Sequence, residues 1–186
     1  VLYAEDGMFP LKIYYADGRF QTELFDIHRH NEVEFIYMNQ GEAAFSVNGT
    51  PYRLSAGQAL FINAGFLHSG SKIGNHPCKY FAVVFDMDFI SGKIFDACQY
   101  KYLDPYINNL YEIHSVYTES SCWEKVILDK LIYINEIYNS QPFGYEMAIK
   151  AAVFEIFSQI LVNNAFHEVK PNRITTSGAY MDARIK

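Results

Sequence analysis

Two histidines and a glutamate lie close together near the start of the chain, in the stretch IHRHNEVEFIYMNQG. His28 and His30 are two residues apart, so both side chains point to the same face of a β-strand. Glu34 lies about 13 Å beyond His30 on a straight strand, and it approaches the histidines only if the chain turns at residues 31–33. Neutral imidazoles and carboxylates suit Mn, Fe, Ni or Zn. The stretch therefore predicts either a metal site or a polar ligand pocket, with His68 as a further member.

The segments that carry these residues have the pattern of short β-strands separated by turns. We predict strands at residues 11–16, 22–28, 34–38, 43–47, 51–54, 59–62 and 79–85, with His68 on a further segment. Asn48-Gly49 is the clearest hairpin signal, because both residues tolerate the positive φ of a type I′ turn. Regular short strands with frequent glycine turns are typical of a β-sandwich or barrel.

The hydrophobic spacing lengthens to three and four residues in the second half of the chain. Ser121 and Glu124 match the S-x-x-E capping box that starts many helices, and the pattern behind them predicts an amphipathic helix over 123–139. A second helix is predicted over 145–164. A break this short between two helices favours an antiparallel pair.

Two other segments have weaker patterns. Between the strands and the helix pair we expect a short helix near 88–97 and an irregular return. The polar stretch 163–178, with its Pro and Thr-Thr-Ser-Gly, predicts a linker. Residues 180–186 have the pattern of the first turns of another helix.

Composition limits the function classes. The chain has 186 residues, of which 50% are hydrophobic, enough for a core in one domain. It shows neither an apolar run of about 18 residues nor the charge pattern of a signal peptide. Three widely spaced cysteines favour a reducing cytoplasm over a disulfide framework. A net charge of −6 does not favour nucleic-acid binding, so any DNA contact is expected from another segment.

The spacing of His28, His30, Glu34 and Gly41 resembles the first motif of the cupin family, which reads H-x-H, three residues, E, six residues, G. The family's earlier glycine is absent, and Thr22 stands in its place. In metal cupins the matching histidines and glutamate hold the ion. The resemblance therefore implies that these side chains are metal ligands inside a barrel.

The second cupin motif reads G, five residues, P-x-G, two residues, H, three residues, N. Gly57, Gly65 and His68 match it, whereas Asn63 stands at its proline and Lys72 at its last asparagine. Together the motifs imply a mostly β fold with some α: a cupin-like double-stranded β-helix, or jelly-roll, of about eight strands. The antiparallel helix pair follows this barrel.

The whole chain is similar to the sensing half of AraC-family transcription regulators. GEAAFSVNGTPYRLSAGQALFINAGFLHS resembles their barrel core, FGYEMAIKAAVFEIFSQIL their second helix and MDARIK the opening of their first DNA-domain helix. The resemblance implies an effector-binding barrel over residues 1–90, and a connecting segment with a dimerising helix pair over 91–164. Residues 165–186 would then be a linker and the start of a truncated helix-turn-helix domain.

These expectations describe a non-catalytic, cytoplasmic homodimer that binds a small effector, often a sugar, and reaches DNA only through a carboxy-terminal domain absent from the sequence. The effector-binding residues predicted for the barrel interior are His28, His30, Glu34, His68, Arg19 and Tyr37. The dimerisation residues predicted on the first long helix are Ile127, Leu131, Ile134 and Tyr138.

The role of the histidines stays open at the level of sequence. His28, His30, Glu34 and His68 could hold a divalent Zn, Fe, Mn or Ni ion, or they could line a polar pocket that requires no cofactor. The alternative to a regulator is a small metal-dependent cupin enzyme, either a dioxygenase or an isomerase.

Overall fold

A computed structural model describes residues 9–17, 23–74, 77–92 and 96–169. The strands in these ranges are β1 (Leu11–Asp17), β2 (Glu23–His28), β3 (Val33–Gln40), β4 (Glu42–Val47), β5 (Thr50–Ser55), β6 (Ala59–Ile62), β7 (His68–Lys72), β8 (Lys79–Phe85), β9 (Tyr111–Ile113), β10 (Val116–Tyr117) and β11 (Phe166–Glu168). The helices are α1 (Asp104–Ile107), α2 (Cys122–Ser140) and α3 (Tyr145–Val162). Every strand predicted in the first half is present, with ends within two residues of the predicted ones.

The first eight strands and β10 form two antiparallel sheets. One has the order β1-β8-β3-β6-β10 and the other has the order β2-β7-β4-β5. Ile36 of the first sheet and Phe45 of the second belong to one buried core, so the sheets face each other. The fold is the predicted double-stranded β-helix, with a helix pair behind it.

Strand β3 separates two cores, because successive side chains of a strand point to opposite faces. Phe35 belongs to the core shared with the helices, whereas Ile36 belongs to the core inside the barrel. Tyr37 lies on the helix side and stacks on Phe81 with 5.2 Å between ring centroids. The prediction that Tyr37 lines the barrel interior is therefore wrong. Tyr37 is three residues from Glu34 on the same strand, and this odd spacing places the two side chains on opposite faces.

The helix pair packs on the outer face of the five-stranded sheet. Helix α2 begins at the predicted cap, where the Glu124 N–H donates to the Ser121 hydroxyl over 3.3 Å. The Glu124 carboxylate accepts from the Thr118 N–H at 3.0 Å. Helices α2 and α3 are joined by Lys130, which pairs with Glu155 at 2.7 Å. No helix within the described ranges is long and apolar enough to cross a membrane.

The apolar stripe of α2 lies inside the protein. Ile127, Leu131 and Ile134 are completely buried, and Tyr138 is half-buried against the same core. A completely buried side chain cannot reach a second copy of the chain. The prediction that this stripe forms the dimer contact is therefore wrong, because the stripe is used to hold α2 against the sheet.

The segment between the barrel and α2 differs from its prediction. Of the helix predicted near 88–97, residues 93–95 lie outside the described residues, and a 3₁₀ turn at Met87–Phe89 stands at its start. A π-helical segment at Gln99–Leu103 follows and runs into α1. Gly92 interrupts the predicted helix, and glycine is unfavourable inside a helix because it loses the most backbone freedom.

Two short strands form a separate ribbon. Strand β9 pairs with β11 in antiparallel register, with Ile113 opposite Phe166. Strand β11 lies in the segment predicted to be linker, so this part of the segment is attached to the domain. The rest of the predicted linker and the predicted start of a further helix lie outside the described residues.

Candidate metal and ligand site

Three histidines meet at one end of the barrel. His28 is the last residue of β2 and His68 is the first residue of β7, and the pairing of these strands places them directly opposite each other. His30 follows in the connection between β2 and β3. Within the described residues, the three imidazoles form a group whose ligand atoms all lie within 4.8 Å of one another. The structure thus brings together residues that are up to forty positions apart in the sequence.

Glu34 completes the cluster from β3. The chain bends at Asn31 and Glu32, as the sequence requires, and this bend turns Glu34 back towards the histidines. The Oε2 atom of Glu34 lies 3.2 Å from Nε2 of His30 and 3.3 Å from Nε2 of His68. The carboxylate of Glu34 and the imidazole of His68 are buried, whereas His30 is half-buried and His28 is exposed. The cluster therefore combines one acid with three imidazoles and is open on one side.

The backbone fixes the tautomer that each of the three imidazoles adopts when neutral. The Nδ1 atom of His28 lies 2.8 Å from the carbonyl oxygen two residues before it, and that of His68 has the same contact at 2.8 Å. Nδ1 of His30 lies 3.0 Å from the carbonyl oxygen two residues after it. A carbonyl oxygen only accepts, so each Nδ1 is the donor and each neutral ring keeps a lone pair on Nε2. Histidines that bind metals have this arrangement.

His68 gives the strongest indication that a cation fits the cluster. The residue is 1% exposed, and its Nε2 atom has no hydrogen-bond partner in the described structure. Glu34 Oε2 lies only 3.3 Å away. Both atoms present lone pairs to each other, and this contact is unfavourable unless a proton or a cation lies between them. The donor set and its geometry therefore fit a metal ion.

The electrostatics of the cluster favour an ionised acid. Burial raises the pKa of Glu34, but the interactions with His30 and His68 outweigh burial and hold the pKa below its ordinary value. The hydrogen bond to Glu34 raises the pKa of His30, and the partial burial of His30 is a smaller, opposing effect. The charged pair of His30 and Glu34 is therefore stabilised, and a metal ion would have to displace the proton of this pair.

A cavity of about 360 Å³ opens beside the cluster. Its walls are formed by Tyr14, Tyr15, Ala16, Phe25, His28, His30, Glu32, Glu34, Tyr80, Ala82 and Val84. This volume is typical of small-molecule sites. No lysine or arginine belongs to this lining, which is drawn from the described part of the chain. The cavity therefore offers aromatic surface and hydrogen-bond acceptors but no permanent positive charge.

Most residues of the cavity wall were not predicted from the sequence. Tyr14 pairs with Ala82 across β1 and β8, and Ala16 pairs with Tyr80, so these residues form one patch on the inner sheet face. The signal was available in the alternation of KYFAVVF, where every second residue points inwards. It could not be used without knowing which face of the strand is the inner one.

Arg19 lies outside the described residues. Arg53 pairs with Glu42 on the neighbouring strand, and it does not line the cavity. Of the predicted effector residues, His28, His30 and Glu34 line the cavity, and His68 is buried beside them.

The chain is similar to a known family of ligand-binding domains and to a named relative. The family model described as "AraC-like ligand binding domain" matches residues 10–105. The chain is 25% identical over 138 residues to the uncharacterized HTH-type transcriptional regulator YdeC of Bacillus subtilis. The match covers 74% of this chain and 46% of YdeC, so the chain spans about half the length of that relative.

Solved structures of similar shape include several cupins. A predicted oxalate decarboxylase from Thermotoga maritima has a TM-score of 0.40 at 25% identity, covering 45% of this chain and 75% of that one. A cupin protein from Bacteroides fragilis has a TM-score of 0.41 at 14% identity, covering 50% and 78% respectively. A double-stranded β-helix cupin from Methanocaldococcus jannaschii has a TM-score of 0.39 at 12% identity, covering 42% and 72%. Each match covers at most half of this chain.

Proposed function

Because the chain belongs to the family of AraC-like ligand binding domains, we propose that it is the effector-binding and dimerising region of a transcription regulator. The cavity of about 360 Å³ beside the histidine cluster is the observation that carries this proposal. It places buried polar groups within reach of a small molecule, and the barrel holds them on paired strands. A bound effector would favour one of two states of the domain, and this preference would pass to the DNA-binding part.

The lining favours a neutral, polyhydroxylated effector such as a sugar. Tyr14, Phe25 and Tyr80 offer aromatic surface for the C–H faces of a sugar ring, while Glu32 and Glu34 accept hydrogen bonds from hydroxyl groups. Burial, and then the charge of Glu34, raise the pKa of Tyr80, so its hydroxyl stays protonated and can donate. Without a bound metal ion, an anionic effector would meet two carboxylates and no lysine or arginine among the described lining residues.

The same proposal includes a divalent metal ion, such as Zn, Fe, Mn or Ni, held by His28, His30, His68 and Glu34. Three neutral imidazoles and one carboxylate are suitable ligands for these ions. When bound, such an ion supplies a Lewis acid that attracts an oxygen atom of a ligand. The residues of the chain fix the donors in advance, because each Nδ1 is already bound to the backbone.

Calorimetric titration of the purified protein with Zn²⁺ and Mn²⁺ tests the metal site. We expect one ion per chain, with binding lost in His68→Ala. His167→Ala is the matched control, because His167 lies 3.1 Å from Glu112 in a similar contact outside the cavity. Absence of binding to the unaltered protein, or retention of binding in His68→Ala, would overturn the proposed metal site.

A ligand panel tests the effector class. The protein is titrated with monosaccharides and with small carboxylates, before and after metal loading. We expect a sugar to bind and Tyr14→Ala to weaken this binding, whereas Tyr133→Ala, an exposed tyrosine of α2, leaves it unchanged. Preferential binding of carboxylates would overturn the sugar as the proposed effector but not the proposed sensing function. If neither class of ligand binds while the metal site is intact, both proposals are contradicted.

We infer that the dimer forms through α3 rather than α2. Helix α3 buries one face in the core, yet Met147, Phe154 and Val162 remain 79%, 42% and 75% exposed. With Ala151 and Ser158 between them, these side chains follow one another at three- and four-residue spacing. This is the spacing of a seam between packed helices. A helix that is apolar on two faces is expected to be covered on both.

The order of side chains along this seam favours a second copy as the partner. An antiparallel arrangement with a two-fold axis between Phe154 and Glu155 places Met147 opposite Val162 and Ala151 opposite Ser158. Small residues then face small residues, so the helices can approach closely, and large residues face each other at both ends. A two-fold contact requires this self-complementarity.

Sedimentation analysis tests this interface. We expect the unaltered protein to be a dimer and Phe154→Glu to be a folded monomer, because a charge at the axis would face its own copy. Tyr133→Glu, on the exposed side of α2, is the matched control and should remain dimeric. A monomeric unaltered protein at high concentration, or a dimeric Phe154→Glu, would contradict the proposal.

DNA binding is proposed to reside outside these residues. The chain is acidic, with a net charge of −6, and it covers 46% of a relative named as an HTH-type regulator. We expect the chain alone not to shift operator DNA in a gel, while the affinity of a full-length regulator changes with effector. The proposed compartment is the cytoplasm, where the cysteines, two of them exposed, would stay reduced.

The prepared metal ligands also favour a second candidate, a small metal-dependent cupin enzyme of the dioxygenase or isomerase type. Incubation of the metal-loaded protein with each ligand that binds, followed by mass spectrometry and NMR of the ligand, separates the two functions. Recovery of the ligand unchanged favours the sensor. An oxidised or rearranged product that depends on His68 favours the enzyme.

A further inference from the structure

Asn63 joins the barrel to the ribbon formed by β9 and β11. The residue is 5% exposed, and its side chain uses both ends of the amide group. Oδ1 accepts from the Ile113 N–H and from the Tyr106 hydroxyl, each at 3.0 Å. Nδ2 donates to the Ile113 carbonyl oxygen, also at 3.0 Å. One side chain from the barrel thus binds both backbone groups of a single residue of β9.

On its other side, Asn63 is connected to the histidine cluster. It begins the loop of residues 63–67, and His68 follows this loop directly. Within the loop, the Gly65 N–H donates to the His30 carbonyl oxygen at 2.8 Å. The loop is therefore bound to two of the three imidazole-bearing residues. A movement of either residue on ligand entry would therefore displace the loop that starts at Asn63.

Beyond Ile113 lies the last described strand of the chain. Ile113 pairs with Phe166 of β11, and the adjacent His114 N–H donates to the Ala165 carbonyl oxygen at 3.0 Å. Strand β11 lies within the segment 163–178, which the sequence predicts to be the linker, and the rest of that segment follows it in the chain. The ribbon is thus the part of the domain from which a change would reach whatever follows the linker.

We propose that Asn63 is a positioning residue that couples occupancy of the histidine cluster to the β9–β11 ribbon. The proposal rests on the proposed sensing function, and it names the residues that would connect the histidine cluster to the β9–β11 ribbon. The loop cannot shift without moving Ile113 or leaving buried amide groups unpaired, and unpaired buried groups are costly. Burial raises the pKa of Tyr106, so its hydroxyl remains protonated as the donor to Asn63.

Hydrogen exchange measured by mass spectrometry tests the coupling without any ligand. We expect His68→Ala to speed exchange of the β9 and β11 amides roughly tenfold, the size expected from losing one or two buried hydrogen bonds. In the Asn63→Ala background, the same His68→Ala change should add less than about twofold, because the connection is already broken. If Asn63→Ala does not fold, Tyr106→Phe removes one hydrogen bond of Asn63 and serves in its place.

Asn48 provides the matched control. Its Oδ1 accepts from the Leu67 N–H at 3.1 Å, at the opposite end of the same loop, and it makes no hydrogen bond to β9 in the described structure. Asn48→Gly removes this contact and tolerates the φ of 48° found there. The response of the ribbon to His68→Ala should persist in Asn48→Gly. Loss of the response in both backgrounds would overturn the specific role of Asn63.

Addition of Zn²⁺ provides a second arm. We expect Zn²⁺ to slow exchange of the ribbon in the unaltered protein and to leave it unchanged in Asn63→Ala, while calorimetry should show that this variant still binds the ion. An equal response in Asn63→Ala would overturn the coupling. If the unaltered protein binds no Zn²⁺, the proposed metal site fails, and the His68→Ala comparison still decides the coupling.

Discussion

The two faces of the five-stranded sheet are built in different ways. The outer face is covered by α2 and α3 and contributes to one continuous apolar core. The inner face carries Glu34, which lies with His68 at the edge of a cavity. Phe35 and Glu34 are neighbours on β3 and belong to opposite faces. The sheet therefore separates the core shared with the helices from the groups proposed to bind a ligand.

The two sides also differ in what they require of a substitution. Apolar burial is non-directional and scales with the area removed from water, so the outer core depends mainly on volume. A buried carboxylate beside imidazoles depends on exact partners and is costly without them. Stability and binding should consequently respond to different residues, and four substitutions test that separation.

Phe35→Ala is expected to have the largest effect, on the outer side. It removes a completely buried ring and should lower the free energy of unfolding by about 3–5 kcal/mol, measured by urea denaturation. Zn²⁺ affinity of the folded protein should not change. If the variant does not fold, Phe35→Leu should cost about 1 kcal/mol. A parallel loss of metal affinity would show that the faces are not independent.

Glu34→Gln tests the inner side at the adjacent position. The amide keeps the volume but removes the negative charge, so Zn²⁺ affinity should fall on the order of 100-fold. The free energy of unfolding of the metal-free protein should stay within about 1 kcal/mol, because a buried charge is costly by itself. Competition with a chelating dye measures the affinity. Unchanged affinity would remove Glu34 from the site.

Gly70→Ala affects the inner wall without touching the metal ligands. A Cβ atom at Gly70 would lie 2.6 Å from Phe25 Cε1 and 3.0 Å from Phe45 Cε1. We expect a loss of about 1–2 kcal/mol in the free energy of unfolding from overpacking, with weaker effector binding because Phe25 lines the cavity. Zn²⁺ binding should be retained. Ser69→Ala, on the opposite face of β7, is the control for both measurements.

Tyr117→Phe should have the smallest effect and the opposite sign. Tyr117 is completely buried on the outer side, and its hydroxyl has no hydrogen-bond partner in the described structure. Removing an unpaired buried hydroxyl should raise the free energy of unfolding by about 1 kcal/mol, seen as a higher melting temperature. Destabilisation instead would indicate that the hydroxyl is paired in solution.

The sequence predicted those parts of the fold whose signals are local. Asn48 and Gly49 have the positive φ values, 48° and 79°, that their turn requires. Ser121 caps α2 as its side chain chemistry implies. Such features need only a few neighbouring residues, so one sequence is enough to find them. The histidine pair was found in the same way, because its spacing is itself the signal.

The features that could not be predicted from the sequence depend on which element packs against a given helix or strand. Periodicity shows that Ile127 and Leu131 share an apolar face, but not whether a sheet or a second copy covers it. The wrong prediction for Tyr37 was avoidable. Tyr37 is three residues from Glu34, and residues an odd number of positions apart on a strand point to opposite faces. Strands β9 and β11 have three residues each and pair across more than fifty positions. Because the paired residues are far apart in the sequence, no local sequence pattern predicts their pairing.

Gly41, the last residue of the first cupin motif, is required by the conformation of the backbone. Its φ is +76°, and a Cβ atom there would collide with the carbonyl oxygen of Pro77. Only glycine adopts this conformation freely, so the position is set by the path of the chain. A barrel whose histidines had been replaced during evolution would still need this glycine. A search pattern that rewards Gly41 therefore recognises the fold, whereas His28, His30, Glu34 and His68 indicate whether a metal or ligand could be held.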